Sequence, residues 1–169
     1  MYNNPAFQLF LMATLGQYKL EWPAREAQML LVSIGTGRAA DANANLLPDE
    51  MNIVYNANLV SSALMFAAAT EQDLLCRAFG KCLHGAPIDR ELGGMVGDKG
   101  RGPVSPSLFT YLRYNADVSR EGLDAMGLRH IQPKDVQQMD SVAHVDDLRA
   151  VGQQVALEVK IGDFAGFLQ

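Results

Sequence analysis

The stretch PAFQLFLMATL, residues 5–15, restricts the possible folds of this chain more than any other. Asn4 can cap a helix that begins here, and Pro5 suits the first helical position because its missing N–H would be unpaired there in any case. The helix that follows is apolar on every side, and such a helix is normally buried. We therefore predict that other parts of the protein cover it.

The composition is that of one globular domain. The chain has 169 residues, of which 49% are hydrophobic and 20% charged, so we treat residues 1–169 as a single domain. The net charge of -5 argues against nucleic acid as a partner, because phosphate binding needs clustered Lys and Arg. No segment approaches the roughly 18 apolar residues of a membrane span, and the opening lacks the marks of a signal peptide. The two cysteines form no disulfide framework, which favours a cytoplasmic location.

Two segments have the composition of β-strands. MLLVSIGTG, at 29–37, is an apolar run closed by Gly35 and Gly37, which is typical of a strand buried on both faces. LFTYLRYN, at 108–115, is rich in aromatic and β-branched residues. Two strands alone are only marginally stable in water, so we expect that the sheet is incomplete.

A long helix is predicted from about Asn58 to Phe79 or Gly80. Its apolar stripe would consist of Leu59, Ala63, Phe66, Ala67, Thr70 and Leu74. Glu71, Gln72 and Arg77 would lie on the opposite, solvated side.

Two further helices follow along the chain. Ser119 is a suitable N-cap for a short helix that ends just before Gly127. An amphipathic helix is predicted over 144–159, with Asp146 and Asp147 near its positive end. The glycine-rich segment 86–103 is predicted to be a surface loop. This order of elements predicts an α/β layered domain with a small partial sheet flanked by helices.

The segment GTGRAA, from Gly35 to Ala40, follows a strand and matches the glycine pattern of dinucleotide-binding turns. The residues after it form a poor helix, and no acidic residue stands about twenty positions further on. A glycine-bounded turn is the simpler interpretation. A nucleotide site at Gly35–Gly37 remains an alternative.

No metal or cofactor site is predicted. Cys76 and Cys82 lie six residues apart and His84 follows, but this spacing fits none of the common zinc patterns. We predict two buried, reduced thiols instead.

No self-contained active site is predicted either, since no G-x-S-x-G segment exists to present a serine. The serines considered as nucleophiles are Ser33, Ser61, Ser62, Ser105 and Ser107. The histidines, expected to be surface or cap residues, are His84, His130 and His144. The carboxylate pairs Asp49/Glu50 and Asp146/Asp147 fit a solvated loop and a helix start. The prediction is that this chain holds no catalytic residue.

Three segments in order, YNNPAFQLFLMATL at 2–15, LLVSIGTG at 30–37 and LFTYLRYNADVSREGLDAMGL at 108–128, resemble the patatin-like phospholipases. The final segment, at 139–168, also resembles the C-terminal helical part of this family of lipid acyl hydrolases. The resemblance implies an α/β fold and a serine–aspartate dyad that works without metal or cofactor. It also implies a phospholipid or other acyl-ester substrate, with peripheral membrane contact.

In this family the serine lies in a G-x-S-x-G turn, and the aspartate lies in an Asp-Gly-Gly or Asp-Gly-Ala motif. That second motif precedes an Asn-Asn-Pro turn by a few residues, and the turn matches Asn3, Asn4 and Pro5 here. The resemblance therefore implies that nucleophile, base and oxyanion donors all fall before Met1. We expect a C-terminal part of the hydrolase that is inactive alone. The alternative is a non-catalytic module that uses its uncovered apolar face to form homo-oligomers or bind a partner.

Overall fold

The computed structural model of the protein describes residues 4–38, 53–97, 102–137 and 142–168, with the backbone alone for 53–59 and 61–62. The strands are β1 (Leu30–Ile34), β2 (Lys81–His84) and β3 (Thr110–Tyr114). The helices are α1 (Ala6–Thr14), α2 (Ile53–Phe79), α3 (Arg120–Ala125), α4 (Pro133–Gln137) and α5 (Val145–Ala156). None of the helices in these ranges is long and apolar enough to cross a membrane.

Within the described ranges the strands form a parallel sheet in the order β1-β3-β2. The register pairs Leu30 with Thr110 on one side of β3 and Lys81 with Thr110 on the other. Parallel strands need a long crossover connection, and α2 lies between β1 and β2 in the chain. The predicted mixture of helices with a small sheet is confirmed. β2 was not predicted.

The two predicted strands are present, but they are buried to different extents. β3 is buried along its whole length because it is central. β1 pairs with β3 on one side and buries only Leu31 and Ser33, whereas Val32 is 40% and Ile34 78% exposed. The prediction that β1 is buried on both faces is therefore wrong for the described part of the protein.

Helix α2 ends where predicted but presents another face to the protein. Of the predicted apolar stripe, Ala63, Phe66 and Ala67 are exposed. The buried positions are Asp73, Cys76 and Arg77, near the end of the helix. The predicted apolar stripe of α2 is therefore wrong. Arg77, which we assigned to the solvated side, is only 1% exposed, because Asp73 neutralises its charge in the interior.

Helix α1 packs into an aromatic cluster beneath the sheet. The Phe10 ring lies 4.7 Å from that of Phe109, and the Phe7 ring lies 5.3 Å from that of Phe79. Leu9 and Met12 on the other side of α1 are exposed. In the described part of the protein, this helix is thus covered on one face only. Its N-cap position is Pro5 rather than Asn4.

A second apolar cluster joins α3, α4 and α5, with Leu123, Ile131, Val136 and Val151 at its centre. The predicted cap of α3 is confirmed, because Ser119 Oγ accepts the N–H of Gly122 at 3.1 Å. Gly127 follows the helix with a φ of +76°, as a residue after a helix end often does. Both predicted C-terminal helices are present, and α4 is additional.

Part of the predicted 86–103 loop lies within the described residues. Asp89 and Gly93 form a small antiparallel bridge, and Val96 pairs with Cys82 of β2. Arg77 donates to the carbonyl of Gly94 and so ties this loop to α2. Residues 98–101 lie outside the described part.

Candidate functional site

A cleft of about 330 Å³ opens where β2 and β3 end, between the sheet and the C-terminal helices. Ligands of parallel α/β sheets characteristically bind outside the carboxyl ends of the strands. The lining contains polar side chains from the strand ends and from the residues after α5: His84, Arg113, Asn115, Asp117 and Glu158. Met126 and Val155 add apolar surface. This position makes the cleft the candidate site.

Arg113 of β3 is the most buried of the charged residues in this lining, at 8% exposure. Its Nη1 donates to Ser33 Oγ of β1 at 2.6 Å. Ser33 Oγ in turn donates to Oδ1 of Asn4 at 2.9 Å, and the N–H of Ala6 donates to the same oxygen. This Asn4–Ser33–Arg113 relay connects the start of α1 to the middle of the sheet.

Arg113 carries a charge that none of the residues described by the structure neutralises. In ranges 4–38, 53–97, 102–137 and 142–168, no carboxylate lies within ion-pair distance of it. A buried charge is costly unless it is paired. The neutral hydroxyl of Ser33 supplies a hydrogen bond but no opposite charge.

The two glycines of the GTGRAA segment lie against the side chains at the end of β3: Gly35 leaves room for Arg113 and Asn115, and Gly37 binds Asn115. A Cβ on Gly35 would lie 2.1 Å from Asn115 Oδ1 and 2.8 Å from Arg113 Nη2, so only glycine leaves room for both side chains. The N–H of Gly37 donates to the same Asn115 oxygen at 2.9 Å. This glycine has a φ of +111°, which L side chains rarely adopt.

The same contacts argue against the alternative prediction of a nucleotide site at Gly35–Gly37. In a dinucleotide turn the backbone N–H groups face the pyrophosphate, whereas the N–H of Gly37 is bound to Asn115. Arg38 continues as extended backbone and bridges to Asp117, so no helix begins directly after Gly37. Residues 39–52, including Asp49 and Glu50, lie outside the described part.

The carboxylates at the rim already have partners. Glu158 Oε2 lies 3.2 Å from His84 Nε2, and the His84 ring stacks on Tyr114 with 4.6 Å between ring centroids. Asp117 Oδ1 accepts the N–H of Ser119 at 2.9 Å. His84 is therefore part of the cleft wall rather than the simple surface residue that we expected.

Cys76 and Cys82 are free and buried, as predicted. Burial, together with the nearby carboxylate of Asp73, raises the pKa of Cys76 from 9.0 to about 12. Burial likewise raises the pKa of Cys82 to about 11. Both thiols are thus kept protonated near neutral pH, which makes them poor nucleophiles and poor metal ligands. In the described ranges, no cluster of His, Cys, Asp and Glu is arranged to hold a metal ion.

The other serines, histidines and aspartates considered in the sequence do not form a catalytic group among the residues that the structure describes. Ser33 belongs to the relay, Ser105 is exposed and Ser107 is buried. His130 is exposed, and His144 pairs with Asp147 at 3.1 Å at the start of α5. Asp146 is exposed. Among the side chains that the structure describes, no serine hydroxyl bonds to a histidine or a carboxylate; those of Ser61 and Ser62 are not among them.

Arg113 and Asn115 were missed by the sequence reasoning. The available signal was the run YLRYN, in which a charged residue interrupts an otherwise apolar and aromatic strand. A charge in a buried strand must meet a partner or a ligand, so this pattern alone could have marked the position.

Comparisons of the chain with protein-family models, with curated proteins and with solved structures find no match.

Proposed function

We propose that this chain forms the C-terminal part of a patatin-like lipid acyl hydrolase that cleaves phospholipids or related acyl esters. The proposal rests on the resemblance of the ordered segments and on one structural observation. Helix α1 exposes Leu9 (58%) and Met12 (41%), and Leu15 (43%) directly after it is exposed too, in a segment that is apolar on all sides. Exposed apolar surface of this kind usually marks a place where another structure packs.

The catalytic groups in this proposal come from a segment that precedes Met1. That segment supplies the serine nucleophile, the aspartate base and the oxyanion N–H groups, and the reaction needs no metal or cofactor. The role of the present chain is to hold this segment in place. The Asn4–Ser33–Arg113 relay fixes the Asn-Pro turn to the sheet, and the aspartate motif would stand a few residues before that turn.

The same proposal places the intact protein in the cytoplasm, with peripheral membrane contact when it meets a lipid substrate. The contact would not depend on basic charge, since the chain carries a net charge of -5. It would depend on apolar side chains that enter the lipid surface.

The test compares the native gene product, characterised by intact mass, with the purified 169-residue chain. Both are assayed on a short-chain nitrophenyl ester and on a fluorogenic phospholipid. We expect the native product to carry a G-x-S-x-G segment, to hydrolyse both substrates and to be blocked by a fluorophosphonate. The 169-residue chain should be inactive. Serine-dependent hydrolysis by this chain, or a native product without hydrolysis, would refute the proposal.

A second candidate is a non-catalytic module that assembles with itself or a partner. It is favoured by exposed apolar residues outside α1, among them Ile34 on β1 (78%) and Leu64 on α2 (65%). Light scattering on the native product distinguishes the two candidates when combined with the assay above. A product that begins at Met1, forms a defined oligomer and lacks hydrolysis would establish the module.

A further inference from the structure

We propose that Arg113 forms the floor of an anion subsite in the cleft, where it binds the phosphate or carboxylate group of a small molecule. The inference rests on where Arg113 lies. Its side chain lines a cleft of about 330 Å³ at the carboxyl edge of the parallel sheet, and the residue is only 8% exposed. The inference is independent of the hydrolase proposal.

The first argument concerns donors. A guanidinium has five N–H donors in a planar fork that matches carboxylate and phosphate oxygens. In the described part of the protein, Arg113 uses one of its nitrogens, Nη1, to reach Ser33. This single bond orients the fork and leaves the other donors for a ligand.

The second argument concerns competing charges. The cleft also contains the carboxylates of Glu158 and Asp117, whose negative charges oppose the binding of an anion. Glu158 pairs with His84, and Asp117 accepts the N–H of Ser119. Both carboxylates belong to exposed residues, whereas Arg113 is buried and has no ion-pair partner among the described residues, so an anion there would supply the opposite charge.

The third argument concerns a second donor. Asn115 Oδ1 accepts from Gly37, which leaves the amide NH2 of Asn115 as the group that can donate. Both Asn115 and Arg113 press against Gly35, so the two side chains lie side by side at the strand end. A neutral amide beside a guanidinium is a suitable pair for a single anionic group.

The cleft volume limits the size of the ligand. A volume of about 330 Å³ is at the lower end of the range for small-molecule sites. The ligand is therefore a compact phosphate ester or a short carboxylate, and not an extended polyanion.

The experiment is a thermal-shift and calorimetric titration of the chain with inorganic phosphate and, separately, with acetate, at ionic strength held constant with chloride. We expect a saturable rise in the melting temperature with at least one of the two anions, since a ligand that binds only the folded state stabilises it. The stronger of the two responses distinguishes phosphate chemistry from carboxylate chemistry. A wild-type chain that responds to neither anion more than to chloride overturns the inference.

Three variants test the assignment to Arg113. Arg113→Gln should weaken binding at least about tenfold, as expected for the loss of a charged bond. Arg129→Gln, which removes an exposed arginine outside the cleft lining, is the matched control and should bind as the wild type does. Asn115→Asp keeps the acceptor for Gly37 but places a carboxylate beside Arg113, so it should abolish binding even if Arg113→Gln fails to fold. Binding by Asn115→Asp that equals the wild type would overturn the proposal.

Discussion

Arg77 organises the interior at the end of α2. Its Nε and Nη2 donate to the two carboxylate oxygens of Asp73, at 3.1 and 2.7 Å, and its Nη1 donates to the carbonyl of Gly94. Tyr111 completes the set by donating its hydroxyl to Asp73 Oδ1 at 3.0 Å. Burial alone would lower the pKa of Arg77, but the hydrogen bonds and charge of Asp73 outweigh it and raise that pKa above its ordinary value.

Replacing Arg77 by Met should destabilise the fold by about 3–5 kcal/mol, because Asp73 is then left as a buried charge without its partner. The measurement is the free energy of unfolding in urea. Asp124→Asn is the matched control, since it breaks the exposed i,i+4 pair between Arg120 and Asp124 and should cost less than about 1 kcal/mol. Equal losses in the two variants would contradict this assignment.

The residues that the sequence predicted well are those whose role is set by near neighbours. Ser119 caps α3 through a bond to a residue three positions later, so a local pattern contains all of the information. Arg77 and Arg113 owe their burial to segments far away in the chain, such as Ser33 at a separation of 80 residues. No periodicity within α2 or β3 carries that information.

At the scale of elements, the two C-terminal helices use glycine in opposite ways. Gly127 follows α3 with a positive φ, where a side chain would be strained. Gly152 lies inside α5, and a Cβ there would meet open space. The same change to alanine should therefore have opposite signs at the two positions.

We expect Gly152→Ala to raise the free energy of unfolding by roughly 0.5–1 kcal/mol, because alanine loses less backbone entropy in a helix interior. Gly127→Ala should lower it by about 1 kcal/mol through left-handed strain. Each variant is the control for the other in urea unfolding. A loss of stability in Gly152→Ala would show that the helix surface there contacts another part of the protein.

The strands show what composition can and cannot predict. Apolar, β-branched character located β1 and β3, but it did not say that β1 buries one face and β3 both. That difference depends on strand order, and strand order depends on pairing between distant segments. β2 was missed because KCLH is short and mixed in polarity, and its neighbours in the sheet, not its own residues, make it a strand.

At the scale of the whole molecule, stability should depend on alkaline pH. Unfolded thiols release their protons near pH 9.0, whereas burial raises the pKa of Cys76 to about 12 and that of Cys82 to about 11. The folded state therefore holds more protons above pH 9. Stability from this source is complete below pH 9 and is lost as the pH rises toward 11 and 12.

We expect the free energy of unfolding to fall above pH 9 with a slope of up to about 1.4 kcal/mol per pH unit for each thiol. Urea unfolding at pH 7, 8, 9 and 10 measures this slope. In Cys82→Ala one of the two thiols is gone, so the slope above pH 9 should be roughly halved, whatever the change in stability at pH 7. An unchanged wild-type stability from pH 8 to 10 would contradict the predicted thiol burial.

The Asn4–Ser33–Arg113 relay also has a kinetic consequence. Its two hydrogen bonds span 29 and 80 residues, so the first can form once Ser33 has been synthesised, whereas the second must wait for Arg113. Closing such long loops is entropically costly, and chains rich in distant contacts fold in about milliseconds to seconds rather than microseconds. During synthesis α1 can therefore be tied to β1 through Asn4 and Ser33 well before Arg113 joins that pair to the centre of the sheet.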